Sequence, residues 1–180
     1  MADSPLSSRE RILKAASELA RESGAGNLSL DAVAARAGLS KGGLLYNFPS
    51  KATLLEAVVE DHLAHFQAEL AKEEACREGD ANALASAYLA VVRRKHEFRE
   101  GPPAGLLAAM AENPEFLDPV RRFNRAFLDR IAETGPANRE AALIAFMAIE
   151  GLRSSELLGI DVLTAEERAA ILESLTKLLA

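Results

Sequence analysis

The sequence predicts an all-α protein of about nine helices, on the evidence of its composition, its apolar periodicity and its capping residues. Ala, Leu, Glu and Arg dominate the 180 residues, Trp is absent and β-branched residues are sparse, as is typical of helical proteins. Apolar residues recur at the three- and four-residue spacing of one helix face. Ser, Thr or Asp precedes several of these stretches, where a helix needs a side-chain cap. The pattern contains neither a credible strand nor an internal repeat.

The first predicted helix runs from Arg9 to Ser23. Ser7 and Glu10 have the spacing of a capping box, in which each side chain bonds the backbone of the other residue. The glycine-rich residues 24–27 end the helix. Its apolar stripe consists of Ile12, Ala16, Leu19 and Ala20.

Two short helices follow, separated by the turn Gly38-Leu39-Ser40. The second helix begins after Ser29, which is its predicted N-cap. The third ends at Phe48-Pro49, because the residue before a proline favours extended backbone. The inward residues of the second helix are Val33, Ala34 and Ala37.

Six further helices are predicted in the rest of the chain. A capping Ser50 starts the fourth, Asp118 with Pro119 starts the seventh, and a capping box of Thr164 and Glu167 starts the ninth. Gly, Pro, Asn and Asp separate the helices at 79–80, 101–103, 113–114 and 135–136. The helices themselves are predicted at 51–75, around 84–92, at 106–110, at 118–131, at about 138–158 and at 165–179.

This organisation predicts two domains, a three-helix head at residues 1–49 and a C-terminal helical bundle at residues 50–180. The chain carries a net charge of −6, but residues 1–51 hold seven Lys or Arg against five Asp or Glu, which leaves −8 for the remainder. Only the head can approach phosphate without strong repulsion.

Several protein classes find no support in the sequence. No stretch reaches the roughly 18 apolar residues of a membrane span, Met1–Ser8 lacks a signal-peptide pattern, and a single Cys76 suits a reducing compartment. We therefore expect a cytoplasmic protein that meets no membrane. His62 and His65 have a spacing that metal sites use, but Asp61 is the only neighbouring ligand type. We expect no metal and no cofactor.

Residues 29–51, SLDAVAARAGLSKGGLLYNFPSK, are the most informative segment. Two short helices around a glycine turn fit a helix-turn-helix, whose second helix enters the major groove of DNA. Gly38 can adopt the left-handed turn conformation that other residues resist. Ser40 caps the second of these helices, whose free N–H groups suit a phosphate.

The start of that helix carries further residues that suit DNA. Lys41 adds a cation, and Gly42 and Gly43 cost roughly 1 kcal/mol each in a helix relative to Ala, which suggests close approach of another backbone. A frayed helix start is the alternative for the glycines. Tyr46 can offer its hydroxyl to a phosphate, or it can be a core aromatic with a wet tip. Asn47 and Lys51 lie where the next helix begins.

The segment resembles the tetracycline-repressor (TetR) family of bacterial regulators, specifically over roughly residues 9–65. The segment around Met110–Arg122 and the residues Glu150-Gly151-Leu152 are similar to C-terminal domains of such regulators. The residues that carry the first resemblance are Ser29, Val33-Ala34, Ala37-Gly38-Leu39-Ser40, Lys41-Gly42, Leu44, Tyr46, Phe48, Ser50-Lys51 and Leu54-Leu55.

The resemblance implies an Ω-shaped homodimer that represses transcription and leaves its operator when a small-molecule effector binds the C-terminal domain. Leu45 and Asn47 depart from the aromatic and the His that the family commonly has there, so the operator sequence cannot be read from them. Carried over by position, the residues that contact DNA are Ser29, Ser40, Lys41, Gly42, Gly43, Tyr46, Asn47 and Lys51.

Two further sets of residues are candidates for the effector and for the second subunit. A carboxylate among apolar residues needs a partner, so Glu150 pairs with Arg94, Arg121 or Arg153, or with a ligand cation. For each aromatic, ordinary core packing is the alternative. The ligand-pocket candidates are His62, Phe66, Met110, Phe123, Phe127, Phe146 and Glu150. The dimer-interface candidates, whose alternative is burial within one subunit, are Leu143, Met147, Leu157, Leu158, Ile171, Leu175 and Leu178.

Two other functions compete with the regulator. An enzyme lacks support, because no glycine-rich phosphate loop follows a strand, no HExxH occurs, and three His and one Cys are few for a site. A helical ligand-binding or scaffolding protein with an unused helix-turn-helix has no physical reason to keep Ser40, Lys41, Gly42 and Gly43 together. We therefore expect a regulator whose partners are operator DNA, a second copy of the chain and an effector.

Overall fold

The computed structural model describes residues 6–23, 28–97 and 104–180, and these residues form nine α-helices and one short 3₁₀ helix without any strand. The predicted all-α class is confirmed. The predicted glycine-rich stop at 24–27 and the loop at 101–103 lie outside the described residues. The helices are α1 (Ser8–Ser23), α2 (Leu30–Arg36), α3 (Lys41–Asn47), α4 (Lys51–Ala75), α5 (Ala83–Glu97), α6 (Ala104–Glu112), the 3₁₀ helix (Pro114–Leu117), α7 (Asp118–Ala132), α8 (Pro136–Leu158) and α9 (Ala165–Leu179).

The predicted N-caps are confirmed in most helices. The hydroxyl of Ser29 accepts a hydrogen bond from the Ala32 amide at 3.2 Å. Thr164 and Glu167 form the complete capping box of α9. In each case the cap satisfies an amide that has no acceptor within the helix. The other confirmed caps are the Ser7–Glu10 capping box, Ser40 and Ser50.

The predicted N-cap at Asp118 is wrong. Its backbone is helical, with φ −56° and ψ −36°, and it is the first residue of α7. The cap lies earlier, at Asn113, whose side-chain oxygen accepts from the Glu115 amide at 3.0 Å. Because Pro119 is in the first turn, where no helical acceptor is needed for its missing N–H, the 3₁₀ helix continues into α7 without a break.

The chain divides into two compact units. The first unit comprises residues 1–63 and 103–121, and the second comprises residues 64–102 and 122–180. α6 and the 3₁₀ helix therefore pack with the N-terminal helices. The domain boundary predicted between residues 49 and 50 stays a prediction.

Each unit has its own apolar core. In the first unit, Ile12, Val33, Leu44, Leu54 and Leu55 are fully buried, and α1 packs against α2, α3 and α6. In the second unit, α5, α8 and α9 pack together with part of α7 around a group of aromatic rings. Among the described residues, no helix is long and apolar enough to cross a membrane.

Candidate nucleic-acid interface and aromatic core

The turn between α2 and α3 depends on Gly38. Its φ of +65° lies in the left-handed region, which L-residues with a Cβ rarely adopt. A Cβ on this residue would also lie 2.9 Å from the Arg11 guanidinium. The turn is closed by hydrogen bonds from the Gly38 amide to Ala35 O at 3.1 Å and from the Leu39 amide to Ala34 O at 2.9 Å. The predicted role of Gly38 in the turn is confirmed.

Arg11 holds this turn against α1, a role that the sequence did not indicate. Its guanidinium donates to the carbonyl of Ala37 and, at 3.2 Å, to that of Gly38. A guanidinium at the C-terminal end of a helix satisfies carbonyls that have no partner and interacts favourably with the helix dipole. Arg36 of α2 is bound to Glu22 of α1 at 2.6 Å and fixes the same two helices. No local pattern indicates either pair, because the partners lie far apart in sequence.

α3 is anchored by its inward side. Leu44 is fully buried, and the Ser40 hydroxyl accepts from the Gly43 amide at 3.1 Å. The Asn47 side-chain amide donates to the Gly43 carbonyl at 2.9 Å, so one of its two N–H groups is used inside the helix. Leu45 is half-buried. The helix is therefore rigidly placed, and the remaining residues on its outer side are open to solvent.

The outer side of α3 has features that the folded chain does not need. Tyr46 is 90% exposed, which excludes the alternative that it is a core aromatic. A Cβ on Gly42 would meet only the Ser40 hydroxyl, at 3.9 Å, and a Cβ on Gly43 would meet the same atom at 3.4 Å. Both are ordinary van der Waals distances, and neither glycine has a positive φ. Nothing within the described residues explains why two helix-weakening glycines stand here.

Both lysines of this surface are ion-paired. The Lys41 ammonium lies 3.0 Å from an oxygen of Asp31, with exposed fractions of 59% and 69% for the two side chains. The Lys51 ammonium lies 2.9 Å from an oxygen of Glu112 at the end of α6. All eight predicted DNA-contacting residues, including the exposed Ser29 before α2, belong to the first unit. Their contact with DNA stays a prediction.

The ligand-pocket candidates of the second unit meet in a packed aromatic core around Tyr88. The rings of Phe66 and Phe127 lie 5.4 and 4.9 Å from that of Tyr88, and the Phe146 ring lies 5.7 Å away. Phe123 contacts Phe66 edge-on at 5.7 Å. Phe66, Phe127 and Phe146 are buried, so their packing accounts for them as core in this structure. The sequence indicated Tyr88 only as a helix residue, because its central place depends on rings from other helices.

Glu150 and Arg153 form a polar triad with Tyr88 inside this core. The Tyr88 hydroxyl donates to Glu150 Oε1, and the Arg153 guanidinium donates to the Tyr88 hydroxyl and, at 2.9 Å, to Glu150 Oε1. The guanidinium also lies 4.9 Å from the centre of the Phe66 ring. Burial raises the pKa of the Tyr88 hydroxyl, so this residue stays a neutral donor. Of the three arginines considered, Arg153 is the partner of Glu150.

His62 and Met110, the other two ligand-pocket candidates, are half-buried and belong to the first unit.

One groove of about 650 Å³ lies among Arg77, Arg94 and the end of α9. A cleft of about 270 Å³ between α4 and α7 is lined by Phe123 and Phe127 among others. In the part of the chain that the structure describes, no three His, Cys, Asp or Glu side chains are grouped as metal ligands.

Exposed apolar residues concentrate on α8, α9 and the segment between them. Of the dimer-interface candidates, Leu175 is buried in the core of its own chain, and Leu157 and Ile171 are half-buried. Leu175 and Ile171 pack in or against the core of their own unit, and a contact of any of the three with a second subunit stays a prediction. Apart from Leu6 and Tyr46, the exposed large apolar side chains of the described residues are Leu143, Ile144, Met147, Leu158, Ile160, Val162 and Leu178.

A helix-turn-helix unit joined to a second helical unit with an aromatic core defines a helical DNA-binding regulator. Family models agree over most of the chain. Residues 12–58 match the bacterial regulatory proteins of the tetR family, and residues 82–180 match the tetracyclin repressor-like C-terminal domain. The chain therefore belongs to the TetR family of transcriptional regulators, which are not enzymes.

Solved structures share the fold. A transcriptional regulator from Rhodococcus sp. Rha1 has a TM-score of 0.67 at 22% identity, with 96% of each chain covered. The multidrug binding protein EbrR complexed with ethidium has a TM-score of 0.63 at 23% identity, covering 97% of this chain and 99% of EbrR. A structure on the control of antibiotic production by a bacterial hormone has a TM-score of 0.67 at 24% identity, covering 98% and 99%. No curated protein matches the chain.

Proposed function

We propose that the chain is a homodimeric repressor that binds operator DNA through α3 and releases it when an effector binds the second unit. The observation that carries the DNA-binding role is the outer side of α3. An almost fully exposed Tyr46 stands beside Gly42 and Gly43, two glycines that no contact within the chain requires. A phosphate backbone that approaches this surface explains all three.

The residues around α3 supply contacts of three kinds. Ser29, Ser40, Lys41, Tyr46 and Lys51 carry hydroxyl or ammonium groups that bind phosphate and set the position of the head. Gly42 and Gly43 let the helix backbone come close to the DNA. Asn47 keeps a carbonyl oxygen and one N–H for a base edge or phosphate, since its other N–H is used by Gly43.

The apolar surface of α8 and α9 is the proposed dimer interface. Leu143, Met147, Leu158 and Leu178 are between 36% and 63% exposed. Full burial of an exposed side chain of this kind stabilises by about 1.5–3 kcal/mol, of which roughly a third to two-thirds is still to be gained here. A twofold copy of the same surface buries all of them at once. Ile144, Ile160 and Val162 extend this surface beyond the residues that the sequence predicted.

The aromatic core around Tyr88 is the proposed effector site. Glu150 and Arg153 are about three-quarters buried as side chains, and a charge pair in such surroundings keeps little net stability after desolvation. An aromatic cation that takes the place of the Arg153 guanidinium finds a carboxylate and several ring faces in one place. The likeness to EbrR shows the fold alone, but ethidium is a suitable probe of this chemistry.

Effector and DNA act on one equilibrium in this proposal. Two recognition helices must lie about 34–36 Å apart to bind two half-sites, and the effector favours a dimer with another separation. Affinity for effector and affinity for DNA are then coupled reciprocally.

Selection of bound sites from random duplex DNA tests the DNA-binding role directly. We expect a twofold-symmetric site whose half-sites are about one DNA turn apart. Lys41→Ala should weaken binding to every duplex and reduce the slope of log K against log salt by about 0.9. Lys177→Ala removes an exposed lysine that is paired with Glu173 at 2.7 Å on α9, and it serves as the matched control with no effect. Failure to select any duplex contradicts the proposal.

The effector site is tested without DNA, because ethidium also intercalates into duplexes. Ethidium fluorescence should rise on addition of the protein, and Glu150→Gln should weaken binding at least tenfold. Glu140→Gln, an exposed carboxylate on the same helix, controls for net charge. Equal binding by both variants contradicts the assignment of Glu150.

A further inference from the structure

Lys51, a proposed phosphate-binding residue, is occupied by a carboxylate from a distant part of the chain. Its ammonium lies 2.9 Å from Oε2 of Glu112, and the two side chains are 32% and 44% exposed. Lys51 is the first residue of α4, whereas Glu112 is the last residue of α6. The ion pair thus joins the start of α4, which directly follows α3, to the end of α6, which comes after α5 in the sequence.

The position of Glu112 is fixed by its neighbours and not by the ion pair alone. Leu106 and Ala109 on α6 are buried, and Phe116 in the 3₁₀ helix that follows is buried as well. α6 packs against α1 within the first unit. Because buried residues stand on both sides of Glu112, its backbone is held in place, whereas its side chain, which is 44% exposed, can rotate away from Lys51.

The start of α4 is also a poor environment for a cation without an anion. The amides at the start of a helix carry a positive partial charge, and Lys51 adds a full positive charge there. An anion is therefore favourable at this place, whether a carboxylate or a phosphate. Glu112 supplies that anion in the free chain.

We propose that Glu112 competes with DNA phosphate for Lys51 and thereby sets DNA affinity from α6. Glu112 is a positioning residue that acts through Lys51, so the inference rests on the proposed DNA contact of Lys51. A phosphate that binds Lys51 must displace the Glu112 carboxylate or approach it against repulsion. Any shift of α6 that withdraws Glu112 raises DNA affinity, and any shift that presses it closer lowers it.

Glu112→Gln tests the competition, because it removes the charge and keeps the shape. We expect affinity for DNA to rise about two- to fivefold, the range of an exposed ion pair. The slope of log K against log salt should steepen by at most about 0.9, the value that one additional phosphate neutralised by the protein would give. The rise in affinity should be equal for a selected duplex and for an unrelated duplex of the same length, since phosphates carry no sequence.

Glu115→Gln is the matched control. It removes one negative charge three residues further on, from an exposed side chain in the 3₁₀ helix, and reports the effect of net charge alone. Lys51→Gln provides the second control, because the rise in affinity from Glu112→Gln should vanish when the lysine is absent. Thermal melts by circular dichroism confirm that each variant is folded.

The outcomes separate this inference from the proposed function. If the wild-type chain binds no duplex, the proposed function fails. If the wild-type chain binds DNA but Glu112→Gln raises affinity no more than Glu115→Gln does, or raises it equally in the Lys51→Gln background, only the competition is overturned. A steeper salt dependence that requires Lys51 supports it.

Discussion

Gly42 and Gly43 allow a prediction in which stability and function change in opposite directions. Both stand in the right-handed helix α3, and an added Cβ meets no atom closer than 3.4 Å. Gly→Ala stabilises a helix interior by about 1 kcal/mol, and Gly42 and Gly43, in the first turn of α3, should gain at most that much. For a chain of this size the upper limit corresponds to a rise of about 2–4 °C in Tm. We expect Gly42→Ala and Gly43→Ala each to melt at a higher temperature than the wild type.

DNA binding should fall in the same two variants. If a phosphate backbone lies against the glycines, a methyl group must push it away, and such overpacking costs typically 1–3 kcal/mol. That cost corresponds to roughly 5- to 150-fold in affinity. Fluorescence anisotropy with a labelled duplex measures the loss of affinity, and circular dichroism melts of the free protein measure the increase in stability.

A control variant separates helix propensity from contact. Ser17→Ala, on the exposed side of α1, raises propensity by a few tenths of a kcal/mol without touching α3, and it should leave DNA affinity unchanged. If the Gly42→Ala and Gly43→Ala variants bind DNA as the wild type does, no phosphate backbone lies against these glycines. A lower Tm in either variant equally contradicts the conclusion that the free chain does not need these glycines.

Three further changes have expected outcomes. Met147→Glu should place charge in the proposed dimer interface and shift the chain toward monomers in analytical ultracentrifugation, with weaker operator binding; an unchanged dimer contradicts the interface. Arg153→Met should lower the free energy of unfolding by about 1–3 kcal/mol, because Glu150 loses a charged hydrogen-bond partner. The same variant should bind ethidium more tightly, because no guanidinium competes for Glu150. Weaker ethidium binding together with lower stability contradicts the proposed exchange of cations. The hydrogen bond from Arg77 holds the pKa of the Glu73 carboxyl below its usual value. The stabilisation that the ionised Glu73 gives the folded chain is therefore complete above about pH 4.5, and it disappears as the pH falls through the lowered pKa. Denaturant melts across this range should lose that pH dependence in Glu73→Gln.

The sequence was sufficient for features that arise within a few residues. Ser40 and Thr164 were predicted as caps because a cap bonds an amide two or three positions ahead, so its partner is fixed by the chain itself. The turn at Gly38 was predictable because few residues other than glycine adopt its φ. Asp118 shows the limit of such local signals. A capping residue followed by proline also fits a helix that has already begun, and here Asn113 caps first.

Features that depend on distant partners could not be predicted. Arg11 bonds the carbonyls of residues 26 and 27 positions away, and Lys51 meets Glu112 from another helix. Glu150 was expected to pair with one of three arginines, but only the packing of α5 against α8 brings Tyr88 into the same triad. Burial likewise decides between alternatives that periodicity leaves open, since Leu175 and Leu178 both lie on α9 but only Leu175 is in the core.

In the free chain, internal groups occupy the positions that we assign to ligands. The carboxylates of Asp31 and Glu112 bind the two lysines that are proposed to meet phosphate. The guanidinium of Arg153 lies against the Phe66 ring, at the position that is proposed for a ligand cation. Binding at either site is therefore an exchange of one ion pair for another, and the measured affinity is the difference between two interactions of similar kind. The displaced carboxylate or guanidinium loses its partner on binding and must reach solvent, and this cost lowers the affinity of the ligand that takes its place. The ligand therefore shifts the population only by as much as its affinities for the two states differ.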